Sequence, residues 1–253
     1  MHRFFVEQPI GGIGEIAALS PEEGAHAARV LRLKPGEAIQ LLDGERLYDA
    51  VLTEVSERVV TARAEAICPS PEPPVRVALL QGFPKGDKLE LIAQKAAELG
   101  AWELWPVVME RCAARMEQIP RLEKKRERIQ RIVLEAAKQC GRAHVPRVLP
   151  VRGLAGALQA VEEAEPAFDA LFVPWEEERS LPLSRAVRAH VEAHGTPRRA
   201  AVVIGPEGGI SREEWETLRA RGAVSVTLGP RILRTETAGL CALSVLWAAL
   251  DEM

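Results

Sequence analysis

The spacing of apolar positions changes character near residue 70. Before it, short runs alternate: Glu37–Leu42, Leu47–Val55 and Arg58–Ala66 read as strands, with Asp43-Gly44 as a turn. Ser20-Pro-Glu-Glu23 reads as a helix start, with Ser20 as N-cap, Pro21 in the first helical position and Glu23 closing the box. That register turns Ala27, Val30 and Leu31 toward a core and ends near Lys34-Pro-Gly36. Cys68-Pro-Ser-Pro-Glu-Pro-Pro74 fits neither a helix nor a central strand, so it is an extended spacer between a domain of residues 1–70 and one of 71–253.

After the spacer, apolar runs and 3.6-residue periodicity take turns. Val75–Gln81 is a predicted strand. Asp87 caps the next helix, Glu90 completes its box, Leu89, Ile92, Ala93, Ala96 and Leu99 form its stripe, and Gly100 ends it. Strand Leu104–Met109 precedes a basic helix, Arg121–Gln139, whose buried side is Ile129, Ile132, Val133 and Ala136. Then come helix Leu154–Glu163, strand Phe168–Val173, helix Leu183–Ala193, strand Ala200–Ile204, helix Arg212–Arg221, strand Val224–Leu228 and helix Glu236–Leu250. This repetition predicts an α/β domain with a parallel sheet covered on both faces. The last helix is apolar almost all round, which places it in a large core or a subunit interface.

Composition narrows the class. Of 253 residues, 47% are hydrophobic and 27% charged, the balance of a globular chain. No apolar run has the length of a membrane span, and the first residues lack the apolar core of a signal peptide. Cys68, Cys112, Cys140 and Cys241 lie far apart without paired spacing, which points away from a metal or disulfide framework and toward a reducing cytoplasm. The formal charge of −3 argues against a protein that simply coats nucleic acid, but its distribution is uneven. Residues 1–70 carry a net −4, residues 75–150 a net +6 and residues 151–253 a net −4. A polyanion would therefore be met in the middle third. There Arg121, Lys124, Lys125, Arg126, Arg128, Arg131 and Lys138 share one helix with Glu123, Glu127 and Glu135. The run is either a solvated face or an RNA contact, with Arg111, Arg115, Arg142 and Arg147 crowding the same region. Lys85 and Lys88 follow the first strand and either hold a phosphate or are solvated. Trp and Tyr are too few and scattered for a base-stacking platform, and Trp175 is the one beside the loops.

Chemistry concentrates at three strand ends. Ala200–Ile204 runs into Gly205-Pro-Glu-Gly-Gly209, Val224–Leu228 into Gly229-Pro-Arg-Ile-Leu-Arg234, and Phe168–Val173 into Pro174-Trp-Glu176. In open α/β sheets, ligands bind outside the carboxyl ends of the strands. Gly205, Gly208 and Gly209 let the main chain come close to a ligand, and Pro206 and Pro230 stiffen the turns. Glu207 and Glu236 supply carboxylates; Arg231 and Arg234 supply cations. The spacing is not that of a phosphate loop or a dinucleotide fingerprint.

Ile204-Gly-Pro-Glu-Gly-Gly-Ile-Ser211 together with Leu228-Gly-Pro-Arg-Ile-Leu-Arg-Thr-Glu-Thr-Ala238 resembles the RsmE family of 16S ribosomal RNA methyltransferases, within the SPOUT (α/β-knot) superfamily. His2-Arg-Phe-Phe-Val6, Gln94–Gly100 and Glu135–Arg142 extend the resemblance nearly end to end; Lys138 stands where many members carry an acidic residue. The resemblance implies a PUA-like RNA-binding small β-barrel at residues 1–70, a knotted methyltransferase domain at 71–253 with its final helix threaded behind the loops, and a homodimer. It implies transfer of a methyl group from S-adenosylmethionine to ring nitrogen 3 of a uridine in 16S rRNA, at the position that family numbers 1498, with no metal.

That reaction needs the imide proton removed or the resulting anion stabilised. Arg234 is the candidate anion stabiliser, and Glu207 or Glu236 the candidate proton acceptor. Against these stand a salt bridge for Arg234 and a helix-dipole role for Glu236. Thr235 and Thr237 either cap the last helix or bond the cofactor, with capping the favoured role for Thr235. Pro174, Ile204, Gly205, Pro206, Glu207, Gly208, Gly209, Leu228, Gly229, Ile232, Leu233, Arg234, Thr237 and Ala238 are the candidate cofactor contacts. His26, Arg32, Lys85, Lys88, Arg111, Arg115, Lys124, Lys125, Arg128 and Arg142 are the candidate RNA contacts. The competing functions are a non-catalytic RNA-binding or assembly factor, and the same chemistry on tRNA or another rRNA site.

Overall fold

The computed structural model describes residues 1–56, 58–163 and 167–253. The chain forms two compact units: Met1–Glu72 with Ala137–Val145, and Pro73–Ala136 with Pro146–Met253.

The first unit is built on a five-stranded sheet of β1 (Arg3–Phe5), β2 (Ile16–Ala18), β3 (Ala38–Leu42), β4 (Leu47–Val55) and β5 (Val60–Cys68), in the order β1-β3-β4-β5-β2. β1 runs parallel to β3 and the other pairs are antiparallel. β1 and β2 are the two ends of that order, so the expected small barrel is a half-barrel. Alternation along the long strands puts Ile39, Leu41, Tyr48, Ala50, Leu52, Ala62 and Ala64 into one core with Phe4 and Leu19. Tyr48 satisfies its buried hydroxyl by donating to Ile10 O at 3.1 Å. On the other face, Ala143 packs on Leu42 and Leu47.

Ser20 accepts from Glu23 N, and Pro21 opens helix α1 (Pro21–Ala25), as the sequence predicts. The next five residues, His26–Val30, widen into a π-turn closed by Leu31 N donating to His26 O. The extra residue per turn rotates the face: Val30, expected inside, is 67% exposed, Ala27 stays buried, and Leu33 takes the core position. Arg32 ends the turn at φ 54°. Glu23 does not close a capping box; its carboxylate pairs with Lys138 instead.

Among the described residues the second unit holds seven parallel strands: β6 (Arg76–Gly82), β7 (Glu103–Val108), β8 (Arg147–Val148), β9 (Arg152–Gly153), β10 (Ala170–Pro174), β11 (Arg199–Ile204) and β12 (Val224–Val226). Their order is β12-β10-β11-β6-β7-β8, with β9 also pairing β7. The helices are α2 (Lys88–Glu98), α3 (Ile119–Cys140), which passes into the first unit at Ala137, α4 (Leu154–Glu162), α5 (Leu183–His194), α6 (Arg212–Arg219) and α7 (Thr235–Ala249). β6, β7 and β11 are buried along nearly their whole length, as their uninterrupted apolar runs predict. β8 and β9, two residues each, carry no readable period.

The order reverses between β6 and β11. The chain leaving β6 passes through α2 to β7 on one side; the chain leaving β11 passes through α6 to β12 on the other. Loops that diverge in this way open a crevice at the strands' carboxyl ends. α7 packs against α2, α5, β6 and β11, which accounts for its nearly all-round apolar sequence.

Candidate active site

Gly82, the last residue of β6, lies directly against the Gly205-Pro206 turn that follows β11: a Cβ at position 82 would come within 2.5 Å of Pro206 N. The glycine therefore lets two main chains meet at the switch point. The neighbouring loops also rest on glycine. Gly209 adopts φ 74° with the Glu176 carboxylate packed on it, and Gly229 adopts φ 111°. The loops after β10, β11 and β12 leave three adjacent parallel strands at one edge.

Lys88, the first residue of α2, holds the site's carboxylates together. Its Nζ lies 3.0 Å from Glu207 Oε1 and 3.2 Å from Glu236 Oε2. Glu207 also accepts from Lys85 N at 3.1 Å. Burial pushes the Glu207 pKa up, but the Lys88 ammonium, its own backbone N–H and that of Lys85 outweigh it and hold it below the usual carboxylate range. Glu236 is lowered by its own backbone N–H at the start of α7, against a burial penalty, and then by Lys88 and Arg234. Lys88 is raised by its bonds to Glu207 and Glu236. Lys88, a candidate RNA contact in the sequence, is thus also engaged by two carboxylates on adjoining loops.

Arg234 is the N-cap residue of α7, and its side chain makes no cap bond. It is exposed, and no hydrogen bond or ion pair engages its guanidinium among the described residues, so the competing salt-bridge role is not realised. Ile232, two residues earlier, is 93% exposed. Glu207, Gly208, Gly229, Arg231 and Thr237 are exposed, while Pro174, Gly205, Gly209, Leu228, Leu233 and Ala238 are half-buried along the same loops. Pro206 and Ile204 are buried; the Ile204 side chain belongs to the core, so only its main chain can face a ligand.

Thr235 is not a cap. It is buried, donates to Gly205 O at 2.7 Å and accepts from Gln81 Nε2 at 2.8 Å. Gln81 went unread in the sequence because a polar residue at the end of an apolar strand has no periodic signature. Trp175 stacks on Trp215 with ring centroids 4.9 Å apart, which makes it a wall rather than a free stacking surface. Nor does Asp87 cap α2 with its side chain, and Glu90 pairs with Arg128 instead of closing a box.

The remaining expected RNA contacts divide. Arg142 is 4% exposed: its Nε and Nη2 lie 3.1 and 2.5 Å from Glu72 Oε2, and His144 N donates to the same carboxylate at 3.0 Å. It is a buried structural cation, and its assignment to RNA is withdrawn. Arg111 is exposed but donates to Gly208 O at 3.2 Å, bracing the loop after β11. On α3, residues 121, 124, 125, 128 and 131 share one exposed stripe, opposite buried Ile129 and Val133. Arg128 pairs with Glu90 at 3.0 Å and Lys125 with Asp87 at 3.9 Å, so the stripe adjoins the Lys88 end of α2. Arg121, Lys124 and Arg131 have no ion pair among the described residues. Lys85, Arg115, His26 and Arg32 are exposed. Among the described residues no group of His, Cys, Asp and Glu is arranged to hold a metal ion, and no helix is long and apolar enough to cross a membrane.

Comparison with known proteins gives a concordant picture. Residues 71–247 match a family described as an RNA methyltransferase domain, and residues 19–65 an RNA methyltransferase PUA domain. The chain is 36% identical to the ribosomal RNA small subunit methyltransferase E of Bacillus subtilis, over 97% of this chain and 96% of that protein. It superposes with a TM-score of 0.85 and 33% identity on a crystal structure of a hypothetical protein, covering 98% of each chain. The crystal structure of the Neisseria gonorrhoeae small subunit methyltransferase E bound to S-adenosylmethionine superposes with a TM-score of 0.79 at 30% identity, covering 98% of this chain and 97% of that one. With its family match across most of the chain and full-length relatives above 30% identity, the chain belongs to the ribosomal RNA small subunit methyltransferase E family.

Proposed function

We propose that this protein is an S-adenosylmethionine-dependent methyltransferase of the small ribosomal subunit's 16S rRNA, acting on ring nitrogen 3 of a uridine. The observation that carries the proposal is the set of loops after β10, β11 and β12 at the switch edge, with Arg234, unpaired among the described residues, near a Lys88-held pair of carboxylates. The same loops fit the cofactor. Gly205, Gly209 and Gly229 offer close main-chain approach, Leu228, Ile232 and Leu233 offer apolar cover for a purine, and Glu207 and Glu236 offer negative charge to a cationic donor. When bound, that group supplies an electrophilic methyl on a positively charged sulfur.

The chain's own residues have three tasks. Arg234, held at the N-terminus of α7, places a cation and the helix's positive end where the uracil oxygens gain charge as nitrogen 3 loses its proton. With the donor bound, that nitrogen would take its methyl group as the carbon–sulfur bond breaks, the nitrogen's proton having left to water. Glu207 and Glu236, both lowered in pKa and bound to Lys88, are weak bases; their part is to keep the site negative and the loops in register. The basic stripe of α3 guides the RNA backbone toward the α2 end of the site. The N-terminal unit, with exposed His26 and Arg32, is the second RNA-binding module in this reading.

The reading extends to a homodimer in the cytoplasm and to a trefoil knot. In support of the knot, β12 lies at the sheet edge while α7 is seated on β6 and β11, so the connecting chain must cross back over the ends of β10 and β11. The test is transfer of labelled methyl from S-adenosylmethionine to unmodified small subunits, with nucleoside mass spectrometry. A 3-methyluridine peak that vanishes in Arg234→Ala, with cofactor binding retained, is the expected result. A folded protein that binds no cofactor sinks the proposal; cofactor binding without transfer to the subunit, but with transfer to tRNA, replaces its substrate.

A further inference from the structure

The start of α7 carries Arg234 as N-cap and Glu236 in the first turn, and the turn after β11 carries Glu207. One buried hydrogen-bond chain joins the two. Gln81, fully buried on β6, faces Ile204 across the β6–β11 register at the last pairs before the loops. Its Nε2 donates to Thr235 Oγ1 at 2.8 Å and to Gly82 O at 3.1 Å. Thr235 Oγ1, already accepting, has one proton, and that proton goes to Gly205 O at 2.7 Å. The direction of the chain is fixed, because a reversed amide would turn its oxygen against the Gly82 carbonyl. Among the described residues the Gln81 oxygen finds no hydrogen-bond partner; it lies where a Cβ on Gly239 would stand 3.3 Å away. Gly239 is one helical turn beyond Thr235, so the amide is seated against α7 at two successive levels.

We infer that Gln81 and Thr235 are positioning residues for methyl transfer. They latch the start of α7 to the Gly205 carbonyl, so that Arg234, Glu236 and the glycine-rich loop keep one spacing. The inference rests on the methyltransferase reading for its catalytic consequence, but the latch can be tested without it. An isosteric Thr235→Val change keeps the methyl packing, removes the donor to Gly205 O and leaves Gln81 Nε2 with Gly82 O alone. The two segments it joins then open separately from the strands beneath them.

The experiment is amide hydrogen exchange on the full chain without cofactor, paired with methyl transfer to unmodified small subunits, for wild type, Thr235→Val, Thr235→Ser and Gln81→Leu. Thr235→Val and Gln81→Leu are expected to speed exchange about tenfold in segments 205–211 and 229–238 while the amides of β6 and β7 stay protected. kcat is expected to fall on the order of ten- to a hundredfold, with the cofactor KM changed far less. Thr235→Ser, which keeps the hydroxyl, is expected to restore both. Exchange in the two segments equal to wild type overturns the inference, as does acceleration spread evenly through β6 and β7, or a failure of serine to rescue. If Thr235→Val does not fold, Thr235→Ala against Thr235→Ser makes the same comparison, since alanine also removes the donor to Gly205 O. A wild-type chain that transfers no methyl to any RNA refutes the functional reading, while the exchange data still decide the latch.

Discussion

Lys88 Nζ stands 3.0 Å from Glu207 Oε1, and the same ammonium reaches Glu236 Oε2 at 3.2 Å. One cation thereby ties the start of α2 to the loop after β11 and to the first turn of α7.

Replacing it, in Lys88→Met, is expected to lower the melting temperature by an amount that depends on pH in a defined way. Glu207 and Glu236 have lowered folded pKa values, so their contribution is present above the unfolded carboxylate range, about pH 4.3, and is lost as pH falls through the folded values. Lys88 is raised, so its contribution is present below about pH 10.4 and is lost only as pH rises through its folded value. The difference between wild type and Lys88→Met is therefore flat from about pH 5 to 9 and shrinks on either side. Scanning calorimetry across that series checks it; a difference that widens in acid contradicts the clamp.

Arg142 stands among surface cations in the sequence, yet it is sealed against Glu72. Arg142→Ala leaves the largely covered Glu72 carboxylate with His144 N and no cation, and is expected to cost about 3 kcal/mol in urea unfolding. Its RNA affinity per folded molecule should stay at the wild-type level.

The opposite outcome is expected for the α3 stripe. Changing Arg121, Lys124 and Arg131 to Ala leaves the melting temperature close to wild type, because these side chains are exposed and unpaired among the described residues. RNA affinity falls, and the slope of log K against log salt flattens by roughly 0.7–0.9 for each phosphate no longer neutralised. An unchanged slope would return the stripe to the role of a solvated face.

Glu178 gives a prediction outside the site. It accepts from Ser180 N, Ser180 Oγ, Leu181 N and Ser225 Oγ, and the Ser180 bonds lead in lowering its pKa to about 2. Its folded value lies below the unfolded one, so its stabilisation is whole above about pH 4.3 and fades toward pH 2. Glu178→Ala is expected to cost about 1–3 kcal/mol at neutral pH. Urea unfolding at the two pH values checks it; a deficit that keeps its full size at pH 2 contradicts the dependence on charge.

The parallel α/β unit, the long strands of the first unit and the two glycine-proline loops were legible from the residues alone. Each rests on local physics: uninterrupted apolar runs make buried strands, and Gly-Pro at their ends makes tight turns. Where the cations go was not legible. Lys88, Arg128 and Arg142 sit in one basic stretch, and nothing local separates an ammonium clamped by Glu207 from an arginine paired at the surface or one buried on Glu72. Charge partners lie tens of residues away, so only the fold brings them within the few ångströms at which Coulomb attraction matters. The same holds for Gln81 and Thr235, 154 positions apart in sequence and 2.8 Å apart in space. Val30 shows the converse limit: one extra residue in a helical turn reversed an assignment that the 3.6-residue period had made.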